Sequence, residues 1–307
     1  MVAPSFEYVA AGSYDEAVRL LAGGGDEAKV LAGGQSLMPM LNLRLAHPEL
    51  LIDINPADDR PPSVAGGMLR LPALTRHRVL LEHDLVRRHC PLLAAAVGHV
   101  GNVRVRNRGT VGGSLAHADP TSEIGSCALA TGAQVIARGP GGDRTVPVSE
   151  LFVSYWTTAL AETEIITDVL IPVARPRQGW SFQEMVRRTS DFAIVAVAAV
   201  VELDERADTI AAARVALAGV ADRVMLAGPE LLTGLIGSTL TGGAGADGTG
   251  TGDTADDAAG AAAARIAGRV DPADDVHASG EYRRRLVRVL TGRALRQACA
   301  RAAGAVA

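Results

Sequence analysis

Two glycine-centred turns constrain this chain more than any other feature. The first, Leu31-Ala32-Gly33-Gly34-Gln35-Ser36, follows the strand-like Lys29-Val30-Leu31 and opens a helix-like segment from Leu37 to Leu45. Pro39 fits only the first turn of that helix. The second, Gly109-Thr110-Val111-Gly112-Gly113-Ser114, repeats the same chemical character. Glycine lets main-chain amides approach a ligand closely and tolerates positive φ. Successive amides then form an anion-binding concavity, and a helix N-terminus adds a favourable dipole. Ser36, Thr110 and Ser114 add hydroxyl donors. If the two turns meet in space, they can hold a diphosphate from both sides without a lysine. If they do not, each is an ordinary turn, for which glycine is the usual residue. On the first reading, Gly34→Val and Gly113→Val should each expel the ligand by crowding the diphosphate.

A formal dinucleotide fingerprint, Gly243-Ala244-Gly245-Ala246-Asp247-Gly248, is a chance match. It lies in a low-complexity stretch with no buried strand before it and no βαβ unit after it, and the motif requires that context. A segment so rich in Gly, Ala, Thr and Asp cannot offset its ordering entropy by burial. A flexible loop over about 241–258 is therefore expected.

Around these turns the chain divides into three units. In the first, up to about residue 55, Phe6 to Val9 reads as a strand. Ser13 and Glu16 form a capping box ahead of an apolar helix face, and Leu50 to Ile54 is a buried strand. The second, about 56–176, holds a strand at Met68 to Leu71 and a helical stretch from Thr75 to Arg88, with another helix after Pro91. Further on come a helix at Thr121 to Ala130 and strands at Ala133 to Ala137 and Glu164 to Val173. Arg104, Arg106 and Arg108 alternate, so in an extended segment they share one side. That side is a solvated edge or a partner contact. The third unit, 177–303, begins with three consecutive strands, Ser181 to Arg188, Ala193 to Leu203 and Ile210 to Gly219, hence an antiparallel sheet. Helices follow, including Tyr282 to Ala302. The Arg283-Arg284-Arg285 run reads as a solvated helix face.

Several function classes are excluded. The net charge of -4 argues against a general nucleic-acid binder. The lone lysine, Lys29, leaves little scope for Schiff-base chemistry. Cys90, Cys127 and Cys299 form no C-x-x-C pair, which argues against a disulfide framework, a cysteine-held iron–sulfur cluster or a zinc site. His117 and Asp119 lack a third partner for a metal. The longest apolar run, Phe192 to Val201, is too short to span a bilayer, and no signal peptide is visible. A cytoplasmic protein is expected. Aromatics make up only 3% of residues, so the core must be mostly Ala, Val, Leu and Ile.

The chain resembles the FAD-binding (medium) subunits of the molybdenum hydroxylases, the xanthine dehydrogenase and aerobic carbon monoxide dehydrogenase family. The resemblance is carried by Ala32-Gly33-Gly34-Gln35-Ser36-Leu37 and Arg106-Asn107-Arg108-Gly109-Thr110-Val111-Gly112-Gly113-Ser114. Ala116-His117-Ala118-Asp119-Pro120, Arg187-Arg188-Thr189-Ser190-Asp191-Phe192-Ala193 and Ser279-Gly280-Glu281-Tyr282-Arg283-Arg284 add to it. It runs from about Phe6 to Leu295, and the order and spacing of the segments are far more specific than any one of them. It implies an α+β fold: a two-subdomain FAD-binding region of the PCMH, or vanillyl-alcohol-oxidase-like, type, then a C-terminal domain of a three-stranded antiparallel sheet with helices.

By the same resemblance, Leu31 to Leu37 and Thr110 to Ser114 cradle the FAD pyrophosphate. Val100 stands where the family places a residue against the flavin, and a plain core valine is equally open. Glu123 occupies the position of an acid that contacts the adenosine half. Ile166 falls at an apolar contact near the adenine, and Phe192 where a residue often packs on the isoalloxazine. Gln183 stands where some relatives carry a lysine at the flavin edge, and Ser114 where many carry asparagine. The implied cofactor is FAD. The implied partners are a molybdenum-cofactor large subunit and an iron–sulfur small subunit, in a heterotrimer that itself dimerises, together with an external electron acceptor. The reacting group would be the flavin, with no essential protein acid or base and no metal on this chain. Two other readings stay open: a self-sufficient FAD oxidoreductase acting on a small substrate, and a non-catalytic nucleotide-binding module.

Overall fold

The computed structural model describes residues 4–206, 208–240 and 254–304. Most of the glycine-rich stretch, with the chance fingerprint, lies outside the described residues. Its end does not: Thr254 caps a helix that starts at Ala255.

The first lobe alternates strand and helix: β1 (Glu7–Ala10), α1 (Tyr14–Gly24), β2 (Ala28–Leu31), α2 (Leu37–Asn42) and β3 (Leu50–Asp53). The strands form a parallel sheet in the order β1-β3-β2. Ser13 caps α1 by accepting from the Glu16 amide at 3.2 Å, while Glu16 reaches back to the Gly12 amide at 2.8 Å. The expected capping box is thus present, with its return bond one residue upstream of the cap. In a parallel sheet the C-terminal strand ends share one edge. Leu31 and Asp53 are paired there, which sets the first glycine turn and the segment after β3 side by side.

The second lobe opens with β4 (Ser63–Ala65) and β5 (Met68–Pro72). Six helices follow: α3 (His77–Glu82), α4 (Asp84–His89), α5 (Pro91–Val97), α6 (Val103–Arg108), α7 (Val111–His117) and α8 (Glu123–Thr131). It closes with β6 (Gln134–Gly139), β7 (Gly142–Pro147), α9 (Val148–Leu151), β8 (Phe152–Ser154), β9 (Thr157–Thr158) and β10 (Ile165–Pro172). Its main sheet has the order β4-β5-β10-β6-β7. Two expectations are corrected here. The stretch from Thr75 to Arg88 is two helices, because His83 takes an extended conformation and its Nδ1 accepts from the Leu85 amide to start the second. The arginines of α6 are helical, not extended: Asn102 caps the helix by accepting from the amides of Arg104 and Val105. At helical spacing Arg104 and Arg108, four apart, lie on one face and Arg106 is turned away from both. Arg106 folds back onto the carbonyls of Val100 and Gly101, both at 2.9 Å, while Arg104 and Arg108 stay exposed.

The C-terminal domain is β11 (Gln178–Val186), β12 (Ala193–Leu203), β13 (Ile210–Ala218) and β14 (Met225–Leu226), with α10 (Ala255–Arg269) and α11 (Gly280–Ala302). The three expected strands pair antiparallel, and the two-residue β14 joins as a fourth. Strand β12 is apolar on both faces because both are covered. Val195, Val197, Ala199 and Val201 face α10 and α11, while Ala196, Ala198 and Val200 join the core of the second lobe. Ala216 and Ala218 of β13 lie on that same inner face, against α8. Arg283 departs from the solvated-face expectation. It is 6% exposed, and its Nη1 donates to the carbonyls of Ile194 (2.5 Å) and Gly219 (2.9 Å).

Candidate cofactor site

The two glycine turns meet. A Cβ built on Gly33 would lie 2.3 Å from the Arg108 carbonyl oxygen and 2.9 Å from Gly109 Cα, and one built on Gly113 would lie 3.9 Å from Ala32 Cβ. The backbones touch only because neither turn carries a side chain at the contact. Beside them opens a cleft of about 490 Å³ lined by Leu31, Gly33, Gly34, Gln35, Met38, Pro39, Asn42 and Arg108.

The turns are not equivalent. Among the described residues, the amides of Gly33, Gly34, Gln35 and Ser36 donate to no atom of the chain. Gly34 has φ +71, the left-handed region that glycine enters without strain. The Ser36 hydroxyl makes no capping bond to α2 and is free for a ligand. The second turn spends most of its donors internally. Val111 and Gly112 donate to the carbonyls of Thr75 (3.0 Å) and Ala73 (2.9 Å), Gly113 to the Thr110 hydroxyl (3.1 Å), and Ser114 to the Thr110 carbonyl (3.0 Å). What it offers is the Thr110 amide, the Ser114 hydroxyl and a backbone wall. The first turn is the donor array. Behind the wall, His77 is buried, with Nε2 3.0 Å from Ser114 Oγ. Burial pulls its pKa down to about 4, so the ring is neutral.

Sequence reasoning missed Arg108, Met38, Pro39 and Asn42 as lining residues. Arg108 stands immediately before the second turn, and that position was the available signal. Among the described residues it is the one basic residue in the lining of the cleft, which contains no lysine.

The other expected contacts fall in four places. Val100 packs on the second-lobe core beside His99. The His99 ring lies 5.2 Å from Phe182, and its Nδ1 is 3.0 Å from Glu184 Oε2. That contact raises the His99 pKa. Glu123, in the first turn of α8, shares this neighbourhood. Burial pushes its carboxyl up to about 7, the Glu184 and Asp119 carboxylates push the same way, and His99 opposes them. The residue expected at the adenosine half therefore sits near the residue expected at the flavin. Gln183 is not part of this group. Strand alternation points it at α11, where Nε2 donates to Gln297 (2.9 Å), and its neighbour Glu184 takes the face toward the second lobe. Ile166 is 4% exposed in the β10 core, and Phe192 is 76% exposed in the loop before β12.

The Glu123 shift predicts a pH dependence. Its folded pKa lies above the unfolded value, so between about pH 4.5 and 7 the folded chain binds more protons than the unfolded one. Stability then falls as pH rises through this window. The melting temperature of the apoprotein should drop between pH 5 and pH 8, and Glu123→Gln should flatten much of that drop. A variant whose profile superimposes on that of the wild type would contradict the assignment.

Comparison with known proteins agrees with this geometry. Residues 4–174 match the FAD binding domain in molybdopterin dehydrogenase, and residues 180–247 the CO dehydrogenase flavoprotein C-terminal domain. The chain is 38% identical to the 6-hydroxypseudooxynicotine dehydrogenase complex subunit alpha of Paenarthrobacter nicotinovorans, covering 98% of this chain and 97% of that one. It is 34% identical to the carbon monoxide dehydrogenase medium chain of Hydrogenophaga pseudoflava, over 99% of this chain and 100% of the other. The solved structure of carbon monoxide dehydrogenase from that organism superimposes with a TM-score of 0.88 at 34% identity, covering 98% of this chain and 99% of that one. No helix among the described residues is long and apolar enough to cross a membrane. With both domain families matched in order and relatives alike over nearly their whole length, this chain belongs to the FAD-binding medium subunits of the molybdenum hydroxylase family.

Proposed function

We propose that this chain is the electron-transfer subunit of a multi-subunit molybdenum hydroxylase. In this role it takes electrons from an iron–sulfur small subunit and passes them to an external acceptor, while substrate chemistry proceeds on a molybdenum-cofactor large subunit. The observation that carries the cofactor half of this reading is the unspent amide array of Gly33 to Ser36, closed off by backbone contact with the second turn. Bound FAD would supply a ring able to take up and release electrons. The chain's own residues bind and orient it. Amides of the first turn and the hydroxyls of Ser36 and Ser114 face the diphosphate, Arg108 offsets its charge, and Val100 and Glu123 stand at the boundary with the C-terminal domain. The partner half is supported by near full-length likeness to chains named as a complex subunit and as medium chains. The three cysteines are buried and free, which fits a reducing cytoplasm.

Affinity purification from native cells tests the reading. Co-purification of a large and a small chain, with molybdenum, iron and one FAD per medium chain, is the expected result. A solitary flavoprotein whose colour is bleached directly by a small substrate would overturn it in favour of a self-sufficient oxidoreductase.

A further inference from the structure

A chain of hydrogen bonds joins the two turns from behind. Asn55, just beyond β3, donates from Nδ2 to the Ala32 carbonyl at 2.9 Å, and its Oδ1 accepts from Arg76 Nη2 at 2.5 Å. Arg76 Nη1 donates to the Arg108 carbonyl, also at 2.5 Å. That oxygen is the one a Gly33 side chain would strike. Asp53 anchors the far end: its Oδ1 accepts from the Asn55 amide at 2.8 Å, and its Oδ2 from the Tyr8 hydroxyl at 2.6 Å. Two side chains, 21 positions apart in sequence, thus tie a carbonyl of the first turn to the carbonyl that leads into the second.

The peptide group is planar and trans, so the direction of one residue's carbonyl fixes the opposite direction for the next residue's N–H. Holding the Ala32 carbonyl backward therefore holds the Gly33 amide forward. Gln35 does the same one step on, its Nε2 donating to the Gly33 carbonyl at 3.2 Å and so setting the Gly34 amide. Glycines left free would turn some carbonyls toward an anion and repel it. Arg76 is half-buried, with Arg108 beside it and Asp53 as its nearby carboxylate. The back of the turns therefore carries more positive than negative charge, the sign an anion requires.

We infer that Asn55 and Arg76 form a clamp that aims the amides of the first turn at the diphosphate and fixes the distance between the turns. They are positioning residues and do not touch the ligand. The inference rests on the cofactor reading above.

The test uses the full-length chain, stripped of flavin and titrated with FAD. Asn55→Leu and Arg76→Met should each raise the FAD dissociation constant tenfold or more. The double variant should be little worse than the worse single, because both break one clamp. Arg76→Lys, which can hold one carbonyl but not both partners, should recover part of the loss. The 31P resonances of the bound diphosphate should move in Asn55→Leu, a change that general loosening elsewhere in the fold would not produce. If Arg76→Met does not fold, Asn55→Leu and Arg76→Lys carry the test. Affinities within twofold of wild type in both, with unmoved 31P resonances, overturn the clamp. So do losses in the two single variants that multiply independently in the double. A wild-type chain that takes up no FAD overturns the cofactor reading and the clamp with it. Flavin binding in the wild type together with indifferent variants sinks the clamp alone.

Discussion

A Gly33→Ala chain is expected to purify nearly colourless. The added methyl would sit 2.3 Å from the Arg108 carbonyl oxygen, 2.9 Å from its carbon and 2.9 Å from Gly109 Cα. All three are backbone atoms, held by the α6 C-terminus and by Arg76, so none can step aside as a side-chain tip could. The turns must part by about an ångström or more, and hydrogen bonds from the first turn to a shared ligand weaken steeply over that distance. We expect the FAD dissociation constant to rise at least ~100-fold, about 2.7 kcal/mol. The flavin-to-protein absorbance ratio and a titration of apoprotein read this directly, with far-UV circular dichroism confirming the fold. Retention of full flavin content would contradict the meeting of the turns. Gly34→Val and Gly113→Val should act in the same direction by different physics than crowding of the diphosphate. The first forces a branched residue to φ +71, and the second sets a Cβ 2.7 Å from Thr110 Oγ1, the atom that caps α7. In both, the protein's own atoms meet the new side chain first.

Arg283→Met should unfold the C-terminal domain at a markedly lower urea concentration. The wild-type guanidinium is buried and bridges the start of β12 to the residue after β13 through the carbonyls of Ile194 and Gly219, with Asp275 Oδ2 at 2.6 Å from Nη2. Methionine fills the space but leaves two carbonyls without a donor, each costing about 1–3 kcal/mol when buried. A total near 3 kcal/mol is expected, seen as a lower denaturation midpoint with the slope unchanged. Arg283→Lys should restore less than half, since an ammonium on a single stem lacks the fork. Arg285→Met, by contrast, removes only an exposed pair with Glu281 and should shift stability by no more than about 0.5 kcal/mol. Equal effects at 283 and 285 would refute the buried bridge.

How much was legible beforehand depended on whether the deciding interaction was local. The strands around β12, the capped start of α1 and the turns themselves follow from runs of neighbouring residues. Helix α6 misled because Val-Arg-Val-Arg-Asn-Arg alternates like a strand, yet Asn102 before it and Gly109 after it are helix start and stop signals, and those local signals outweigh the alternation. The break at His83 had no such warning, because histidine is an uncommon cap. The face taken by Gln183 could not be read from sequence, since alternation gives two faces without saying which one meets α11. Arg76 and Asn55 were invisible for a stronger reason. Each is unremarkable among its neighbours, and their meaning arises only where two lobes close on each other. Arg283 looked solvated because it stands in a triple-arginine run, and only the helix's rotation about its axis separates it from Arg284 and Arg285.

The alanines between α8 and the C-terminal sheet carry a consequence of their own. Ala196, Ala198, Ala216 and Ala218 present only methyl groups to the helix, and this joint has no interlocking ridges to rearrange. Tolerance there is set by volume alone. One extra carbon has nowhere to go except into the spacing between the layers, and Glu123 and Glu184, on either side of the joint, would be carried apart with them.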